Sequence, residues 1–251
     1  MDSGDLTGWS IKNNIKEKYH FEAKLASGGF GIVYLASDRK TGEKFAVKAI
    51  QQQRVKDYKS FVTEVKILKN LDHPNIIKLY EIWEWKEVCF LVLEYCEGGE
   101  LFQHIIDNKC LSEEITAYVM KQLFSALEYL HSKKISHRDI KPENFMLHKK
   151  NDLSCVKMID FGLSKDFSAS QTMVTMIGSP YYIAPEVILM KYNKNIDIWS
   201  MGVVLYIMIS GKVPFPGRSE NEIIKNVMKS DFHFNYDAFK TCSAECKDLI
   251  Q

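Results

Sequence analysis

Residues 136–146, SHRDIKPENFM, concentrate side chains that can do chemistry. A histidine, an arginine, a lysine, two acids and an asparagine stand together there, and apolar residues follow at once. Acids can move protons or bind cations, and basic groups can neutralise anions. So many formal charges beside a hydrophobic run indicate either a solvated turn or a functional site, and this stretch alone leaves both open.

A glycine cluster near the N-terminus is a second candidate. In LASGGFGIVYLA (25–36), Gly28 and Gly31 stand on either side of Phe30. Glycines let backbone N–H groups approach phosphate oxygens without obstruction by Cβ, although a hairpin turn explains an isolated match equally well. The β-branched and aromatic residues 32–35 follow, where a dinucleotide-binding fold needs a helix. We therefore expect the loop to join two strands.

Lys48 ends the apolar stretch FAVK (45–48). The stem of such a lysine tends to be buried, and its ammonium then needs a partner. Glu64 is the natural candidate, because it lies in a helical pattern beside the apolar face of residues 61–68. The alternative is a surface lysine whose ammonium group reaches solvent.

The surrounding patterns indicate which elements position these residues. Residues 19–50 and 76–95 are typical of strands, with a turn at 39–44, and residues 57–71 have helical spacing with Phe61, Val65 and Leu68 on one face. This predicts a mostly β block. A Gly98-Gly99 pair then lies near a boundary with a helix-rich block, and clefts between lobes favour small ligands.

Two long helices are predicted in the second block. Ser112 can cap the first helix, whose first turn carries Glu113 and Glu114. The second helix covers 195–211. The apolar stripe predicted for the first helix consists of Ile115, Val119, Leu123, Leu127 and Leu130.

Composition bounds the function further. The 251 residues include 33 basic and 32 acidic ones, a net charge of +1 that favours neither nucleic acid nor an anionic membrane as partner. The apolar run 203–209 is too short to span a bilayer, and MDSGDLTGWS suggests a loose tail without a secretory signal. Six cysteines without CxxC spacing indicate neither a zinc site nor a disulfide framework. We expect a cytoplasmic, intracellular protein.

From Tyr19 to the C-terminus, the chain resembles the eukaryotic protein kinase family. HRDIKPEN (137–144) matches the catalytic loop, DFG (160–162) the metal-binding triplet and APE (184–186) the end of the activation segment. The resemblance implies an α+β, bilobal kinase fold: a tail (1–18), a small β-rich N-lobe with one regulatory helix (19–96) and a larger helical C-lobe (97–251). It implies a monomer.

The resemblance also gives roles to the charged residues. Asp139 would orient or accept the proton of the substrate hydroxyl, and Lys141 would neutralise the transferred phosphoryl group. Asn144 and Asp160 would hold Mg²⁺, while Lys48, fixed by Glu64, would contact the phosphates of ATP. In this family, His137 packs beneath the phenylalanine at position 161 and transfers no proton.

The implied ATP pocket uses residues of both lobes. Leu93 would guard its back, Glu94 and Cys96 would present backbone groups to adenine, and Glu100 would bond the ribose. The family loop usually begins with glycine where this chain has Ala26, which puts loop flexibility and nucleotide affinity in question. The implied nucleotide-binding positions are Leu25, Gly28, Gly31, Val33, Ala46, Lys48, Leu93, Glu94, Cys96, Glu100, Met146 and Asp160.

Lys141 and Ser179 match the serine/threonine pattern of the family. Glu100 and Glu143 resemble the acidic pair with which some members bind an arginine three residues before the target. A further acid, with which some members bind a nearer arginine, is replaced here by Ile207. The resemblance therefore implies Ser/Thr-bearing protein substrates, with arginine at that position preferred. Thr175 falls where many kinases carry an activating phosphate, with Arg138 as its partner, although an unmodified threonine fits as well; residues 168, 170 and 172 are weaker candidates.

Three segments are most similar in sequence to calcium-dependent protein kinases of plants and protozoan parasites: EYCEGGELF, IDFGLSKDF and YNKNIDIWSMGVVLYIMISGKVPF. In those proteins a following EF-hand module controls activity. No such loop occurs in these 251 residues, and the chain stops at KDLIQ, before the arginine that pairs with Glu186 in the family. We expect a shortened chain or a longer native protein, with an EF-hand module C-terminal to this segment.

Two other classes compete with an active protein kinase. One is a nucleotide-binding scaffold that has lost catalysis. The intact set Lys48, Glu64, Asp139, Asn144 and Asp160 argues against it. A kinase for small molecules would not need the complete segment up to APE, which builds a platform for an extended peptide.

Overall fold

The computed structural model describes residues 6, 10–28, 31–55, 58–161, 165–166, 179–190 and 192–251. The chain divides into two compact units, Met1–Glu97 and Gly98–Gln251, here called the N-terminal and C-terminal units. The described part of the N-terminal unit contains strands β1 (Ser10–Ile11), β2 (Tyr19–Gly28), β3 (Gly31–Asp38), β4 (Lys44–Gln51), β5 (Leu79–Trp85) and β6 (Val88–Glu94), and helix α1 (Tyr58–Lys69).

These strands form one sheet in the order β1-β5-β6-β4-β3-β2. All neighbours pair antiparallel except β1 and β5. Alternate residues fill a core on one face, where Val47 and Val92 are fully buried together with Tyr19 and Trp83. Ser10–Ile11, within the segment predicted as a tail, joins this sheet through β5.

The helical spacing around residue 64 predicted α1 correctly. Phe61, Val65 and Leu68 are buried, and the polar positions between them are more exposed. Because these three residues recur every three to four positions, one face of the helix is shielded from water and Glu64 lies beside that face. The helix therefore holds the Glu64 carboxylate in a partly buried place.

The C-terminal unit carries most of the helices. Its described elements are helices α2 (Leu101–Asn108), α3 (Glu113–Ser132), α4 (Pro185–Ile188), α5 (Ile196–Ser210), α6 (Glu220–Lys229) and α7 (Ala244–Ile250), and strands β7 (Ile135–Ser136), β8 (Phe145–Lys149), β9 (Asp152–Met158) and β10 (Lys165–Asp166). The predicted α+β class is confirmed. Among the residues that the structure describes, no helix is both long and apolar enough to cross a bilayer.

Helix α3 begins as predicted, because the Ser112 hydroxyl accepts a hydrogen bond from the Ile115 N–H at 3.3 Å. Of the predicted apolar stripe, Val119 and Leu123 are fully buried, as are residues 127 and 130. The prediction was wrong for Ile115, whose side chain is 40% exposed. Ile115 lies in the first turn of the helix, and the buried part of the stripe begins only at the next turn.

Helix α5 is the apolar helix predicted at 195–211. Its buried residues include Val204, Leu205 and Met208, so the helix is shielded on nearly all sides. It ends at Gly211, whose φ is +64°, and a Cβ there would lie 1.9 Å from the Lys109 carbonyl oxygen. Only glycine fits that position.

Candidate functional site

The charged stretch in the C-terminal unit folds into a hydrogen-bonded cluster. It leaves β7, forms a short 3₁₀ turn at Pro142–Asn144 and enters β8. The Lys141 Nζ donates to Asp139 Oδ2 at 2.7 Å, and the Asn144 Nδ2 donates to the same oxygen at 3.1 Å and to the Asp139 backbone carbonyl at 2.8 Å. Lys141 also reaches the Ser179 hydroxyl at 3.3 Å. The stretch is therefore an ordered, partly buried cluster of hydrogen-bonded side chains, which a solvated turn does not explain.

The Asp139 carboxylate is fixed by hydrogen bonds but remains partly accessible to solvent. The side chain of Asp139 is 11% exposed and that of Lys141 is 21% exposed. Two donors fix Oδ2, so the rotamer of Asp139 is set before any substrate arrives. A carboxylate that is oriented and reachable can accept a proton from a hydroxyl within hydrogen-bond distance.

Asp197, which the sequence analysis did not single out, anchors the backbone of this stretch. The side chain is 1% exposed, and its Oδ2 accepts hydrogen bonds from the Ser136 hydroxyl at 2.9 Å and the His137 N–H at 3.0 Å. Its Oδ1 accepts from the Arg138 N–H at 2.8 Å, and the His131 Nε2 lies 2.8 Å from Oδ2. Helix α5 thus fixes the chain immediately before Asp139. A single acid inside an otherwise apolar 15-residue helix was the signal that could have revealed it.

His137 is buried beside Asp139. Its ring contacts the Phe161 ring at a centroid distance of 5.1 Å, which is the packing implied by the resemblance. Burial lowers the pKa of His137 below its ordinary value. The Asp139 N–H lies 3.3 Å from Nδ1 and the Ile159 carbonyl lies 3.3 Å from Nε2, so a neutral tautomer with its proton on Nε2 satisfies both contacts. The imidazole supports the backbone beside Asp139.

A backbone hydrogen bond brings the two predicted metal ligands, Asn144 and Asp160, close together. The Ile159 N–H donates to the Asn144 carbonyl at 2.9 Å, which places Asp160 beside the 3₁₀ turn. Asp160 is exposed and has a φ of +61°, an uncommon conformation for a non-glycine residue. The Nδ2 of Asn144 is engaged with Asp139, so its Oδ1 faces away from that contact. An amide oxygen and an accessible carboxylate fit a hard cation such as Mg²⁺.

The N-terminal unit carries a second group of predicted residues on one face of its sheet. Val33 pairs with Lys48 across β3 and β4, and Ala46 pairs with Leu93 across β4 and β6. Because directly paired residues and residues two apart share a face, these four side chains point to the same side, opposite the core around Val47. All four are partly exposed, as expected for a face that is apolar and reachable.

Lys48 lies near the acid that the sequence suggested for it. The Lys48 Nζ is 3.9 Å from the Glu64 Oε1, with side-chain exposures of 25% and 17%. The distance is at the outer limit of an ion pair, so the lysine is oriented without being enclosed. An ammonium held in this way can contact a phosphate oxygen.

The glycine loop is a hairpin between two strands, which excludes the dinucleotide-binding alternative. Gly28 pairs with Gly31 at the ends of β2 and β3, and residues 29–30 between them lie outside the described part of the chain. A Cβ on Gly31 would lie 2.1 Å from the Ala49 carbonyl oxygen. Ala26 of β2 pairs with Val33 of β3, and Leu25 is 45% exposed.

The remaining predicted residues lie at several places. Glu94 ends β6, and Cys96 is buried just beyond it. Glu100, at the start of α2, forms a backbone bridge with Met146 of β8. Gly162, Thr175 and the residues at 168, 170 and 172 lie outside the described residues. Arg138 has a φ of +69° and its N–H is bound to Asp197.

Glu143 is half-buried beside the cluster of Asp139, Lys141 and Asn144. One of its oxygens hydrogen-bonds to Tyr182, and burial together with the charge of Glu143 raises the pKa of that tyrosine, which donates as a neutral phenol. The other oxygen, Oε2, is shielded from solvent and has no hydrogen-bond partner among the residues that the structure describes. Such an oxygen is a ready acceptor for a cationic donor.

The chain is similar to known proteins over most of its length. A family model described as "Protein kinase domain" matches residues 19–251. The chain is 44% identical over 227 residues to "Calcium-dependent protein kinase 5" of Plasmodium berghei, covering 90% of this chain and 40% of that protein. It is 42% identical over 244 residues to "Calcium-dependent protein kinase 3" of the same organism, covering 96% of this chain and 44% of that protein. The chain spans less than half the length of these relatives.

Proposed function

Because the chain belongs to the protein kinase family, we propose that it transfers the γ-phosphoryl group of ATP to serine or threonine residues of proteins. The hydrogen-bonded cluster of Asp139, Lys141 and Asn144 carries the proposal, because phosphoryl transfer needs positioned charge more than covalent chemistry. The scaffold alternative would need no such arrangement.

In the proposed reaction the substrate hydroxyl oxygen bonds to the γ-phosphorus while the bond to the β,γ-bridging oxygen breaks. Asp139 accepts a hydrogen bond from that hydroxyl, orients it and holds its proton. Lys141, 2.7 Å from Asp139, neutralises charge on the oxygens in transfer. Asn144 and Asp160 would hold Mg²⁺, which neutralises the phosphates when it is bound.

The proposed nucleotide-binding face of the N-terminal unit consists of Val33, Ala46, Lys48 and Leu93. Its apolar members would contact adenine, and Lys48 would bind phosphate oxygens. The shared face and the Lys48–Glu64 distance of 3.9 Å support these roles. Gly28 and Gly31 would bring backbone N–H groups close to the phosphates.

Replacing Lys48 with methionine should lower kcat/KM for ATP by about a hundredfold, because a charge-assisted hydrogen bond worth about 1.5–3 kcal/mol is lost. Glu64→Gln should lower it less, since the lysine loses orientation but remains present. Steady-state kinetics with varied ATP measure both. Lys44→Met on the same strand is the matched control, because Lys44 is exposed and carries no proposed role. A value for Lys48→Met within twofold of the wild type would contradict the assignment.

We also propose that the site prefers substrates with arginine three residues before the target. The shielded Oε2 of Glu143 has no hydrogen-bond partner among the described residues, and this supports the preference because an arginine would supply a donor. Glu100 would contribute the second carboxylate; it is exposed and makes no capping hydrogen bond at the start of α2.

Alanine at that arginine position of a peptide should reduce kcat/KM by about 10- to 150-fold, the equivalent of about 1.5–3 kcal/mol. Glu143→Gln should cause a similar loss with the arginine peptide and little further loss with the alanine peptide, because the two changes remove one contact. Glu114→Gln, at an exposed glutamate of α3, serves as the control. The proposal would be contradicted if the losses from Glu143→Gln and from the peptide change were additive. It would also be contradicted by a peptide array that shows no preference for arginine three residues before the target.

The regulation we propose is by calcium, through an EF-hand module that lies outside these 251 residues. The names of the relatives and their greater length support it. The full-length protein should phosphorylate a generic basic peptide faster with calcium than with a calcium chelator. Equal rates would overturn this part of the proposal and leave the transferase activity untouched.

A further inference from the structure

Two cysteines and a glutamate meet in the C-terminal unit, outside the site described above. Cys242 precedes α7, Cys246 lies in its first turn, and Glu113 lies in the first turn of α3. The two sulfur atoms and a carboxylate oxygen all lie within 4.8 Å of one another. We propose that Cys242, Cys246 and Glu113 form a binding site for a thiophilic divalent cation of the Zn²⁺ class, with water as the fourth ligand.

The carboxylate of this cluster is positioned by its own hydrogen bonds. The Ser243 N–H donates to Glu113 Oε2 at 2.8 Å, and the Ser243 hydroxyl donates to Oε1. The same hydroxyl accepts from the Cys246 N–H at 3.0 Å. Ser243 therefore orients the glutamate and one cysteine together, as supporting residues around a metal commonly do.

The sulfur atoms are already adjacent. The two thiols hydrogen-bond to each other, and the Cys242 Sγ donates to the Ala238 carbonyl at 3.4 Å. In a zinc tetrahedron, bond lengths of about 2.3 Å to sulfur and about 2.0 Å to oxygen give edges of about 3.5–3.8 Å. The observed separations need small side-chain adjustments to reach those edges.

The donor types favour a borderline-soft metal over Mg²⁺ or Ca²⁺. Thiolates select zinc-like ions, and one carboxylate with a water completes a mixed tetrahedral set. With both thiols deprotonated the three ligands carry three negative charges, which exceed the single charge of the nearby Lys247. The Glu113 and Cys242 side chains are partly exposed, so a water ligand and an entry path are available. A bound ion would join the start of α3 to the start of α7.

Cobalt(II) titration of the reduced full chain tests the site directly, because Co²⁺ replaces Zn²⁺ and reports its ligands. One equivalent should produce a sulfur-to-cobalt charge-transfer band and the intense visible bands of tetrahedral cobalt, and Zn²⁺ should abolish both. Cys242→Ser and Cys246→Ser should each weaken the charge-transfer band. Glu113→Gln should retain thiolate ligation but weaken affinity by about tenfold or more.

Cys110→Ser is the matched control, because Cys110 is an exposed thiol of the same unit. Its spectrum should equal that of the wild type. Zn²⁺ should also raise the melting temperature of the wild type and Cys110→Ser but not of Cys246→Ser. No thiolate band in the wild type, or a band of undiminished intensity in both Cys242→Ser and Cys246→Ser, would overturn the site. If a cysteine variant does not fold, the cobalt affinity of Glu113→Gln decides: a loss of about tenfold or more supports the site, and an unchanged affinity overturns it. Neither outcome depends on phosphoryl transfer.

Discussion

Asp139→Asn should lower kcat by about a thousandfold while KM for ATP changes little, because positioned general bases contribute about 10²–10⁴-fold. In the wild type, Oδ2 of Asp139 accepts from Lys141 at 2.7 Å and from Asn144 at 3.1 Å. An amide can accept through only one atom and brings two donors of its own, so it must turn its oxygen toward Lys141 or present N–H groups to other donors. The substrate hydroxyl then loses its acceptor. Steady-state phosphorylation of a basic serine peptide measures the loss.

The matched control is Asp237→Asn. Asp237 also pairs with a lysine, Lys240 at 2.6 Å, but its side chain is 91% exposed. This change should leave kcat and both KM values within twofold, since exposed ion pairs contribute little. A kcat for Asp139→Asn within tenfold of the wild type would show that Asp139 is not the residue that orients the substrate hydroxyl and accepts its proton.

Asp197→Asn should lower the free energy of unfolding by about 3–5 kcal/mol, the cost of removing one partner from a buried, hydrogen-bonded polar group. The Asn side chain places two N–H donors in a pocket where Ser136, His137 and Arg138 already donate to the two carboxylate oxygens. At least one buried donor then faces another donor. Urea denaturation, compared at unchanged m-value, measures the change.

The same variant should also lower kcat, because the anchored backbone leads directly into Asp139 and a displacement of about 1 Å can cost about a hundredfold. His131→Ala, which removes one of the four contacts to Asp197, should destabilise the protein by about 1 kcal/mol. Asp231→Asn, at an exposed position, should be neutral. An Asp197→Asn protein within about 1 kcal/mol of the wild type would contradict the anchoring role.

Local patterns were sufficient where neighbours in sequence are neighbours in space. The cap at Ser112, the buried face of α1 and the hairpin at Gly28–Gly31 follow from spacing and residue type. The pairing of Lys48 with Glu64 also follows, because a lysine with a partly buried stem needs a carboxylate and helix α1 offers one on its partly buried side. The strand itself runs on past Lys48 to Gln51.

Contacts between distant segments could not be predicted in this way. The charges of residues 136–146 are evident in the sequence, yet Asp197, which anchors their backbone, comes from a helix far along the chain. The Cys242, Cys246 and Glu113 cluster was missed because the cysteine spacing matches no metal motif and the glutamate comes from α3. Ile115 shows the converse: helical spacing placed it on the buried stripe, but its side chain is exposed in the first turn of α3.

Phosphate transfer itself tests the central claim most directly. The chain would be incubated with ATP, Mg²⁺ and a serine peptide that carries arginine three residues before the target, and the peptide mass would be followed while ATP binding is measured in parallel. The account predicts ATP binding and the gain of one phosphate at the serine. ATP binding by the intact folded chain without phosphate transfer to the peptide would contradict it and would favour a nucleotide-binding scaffold.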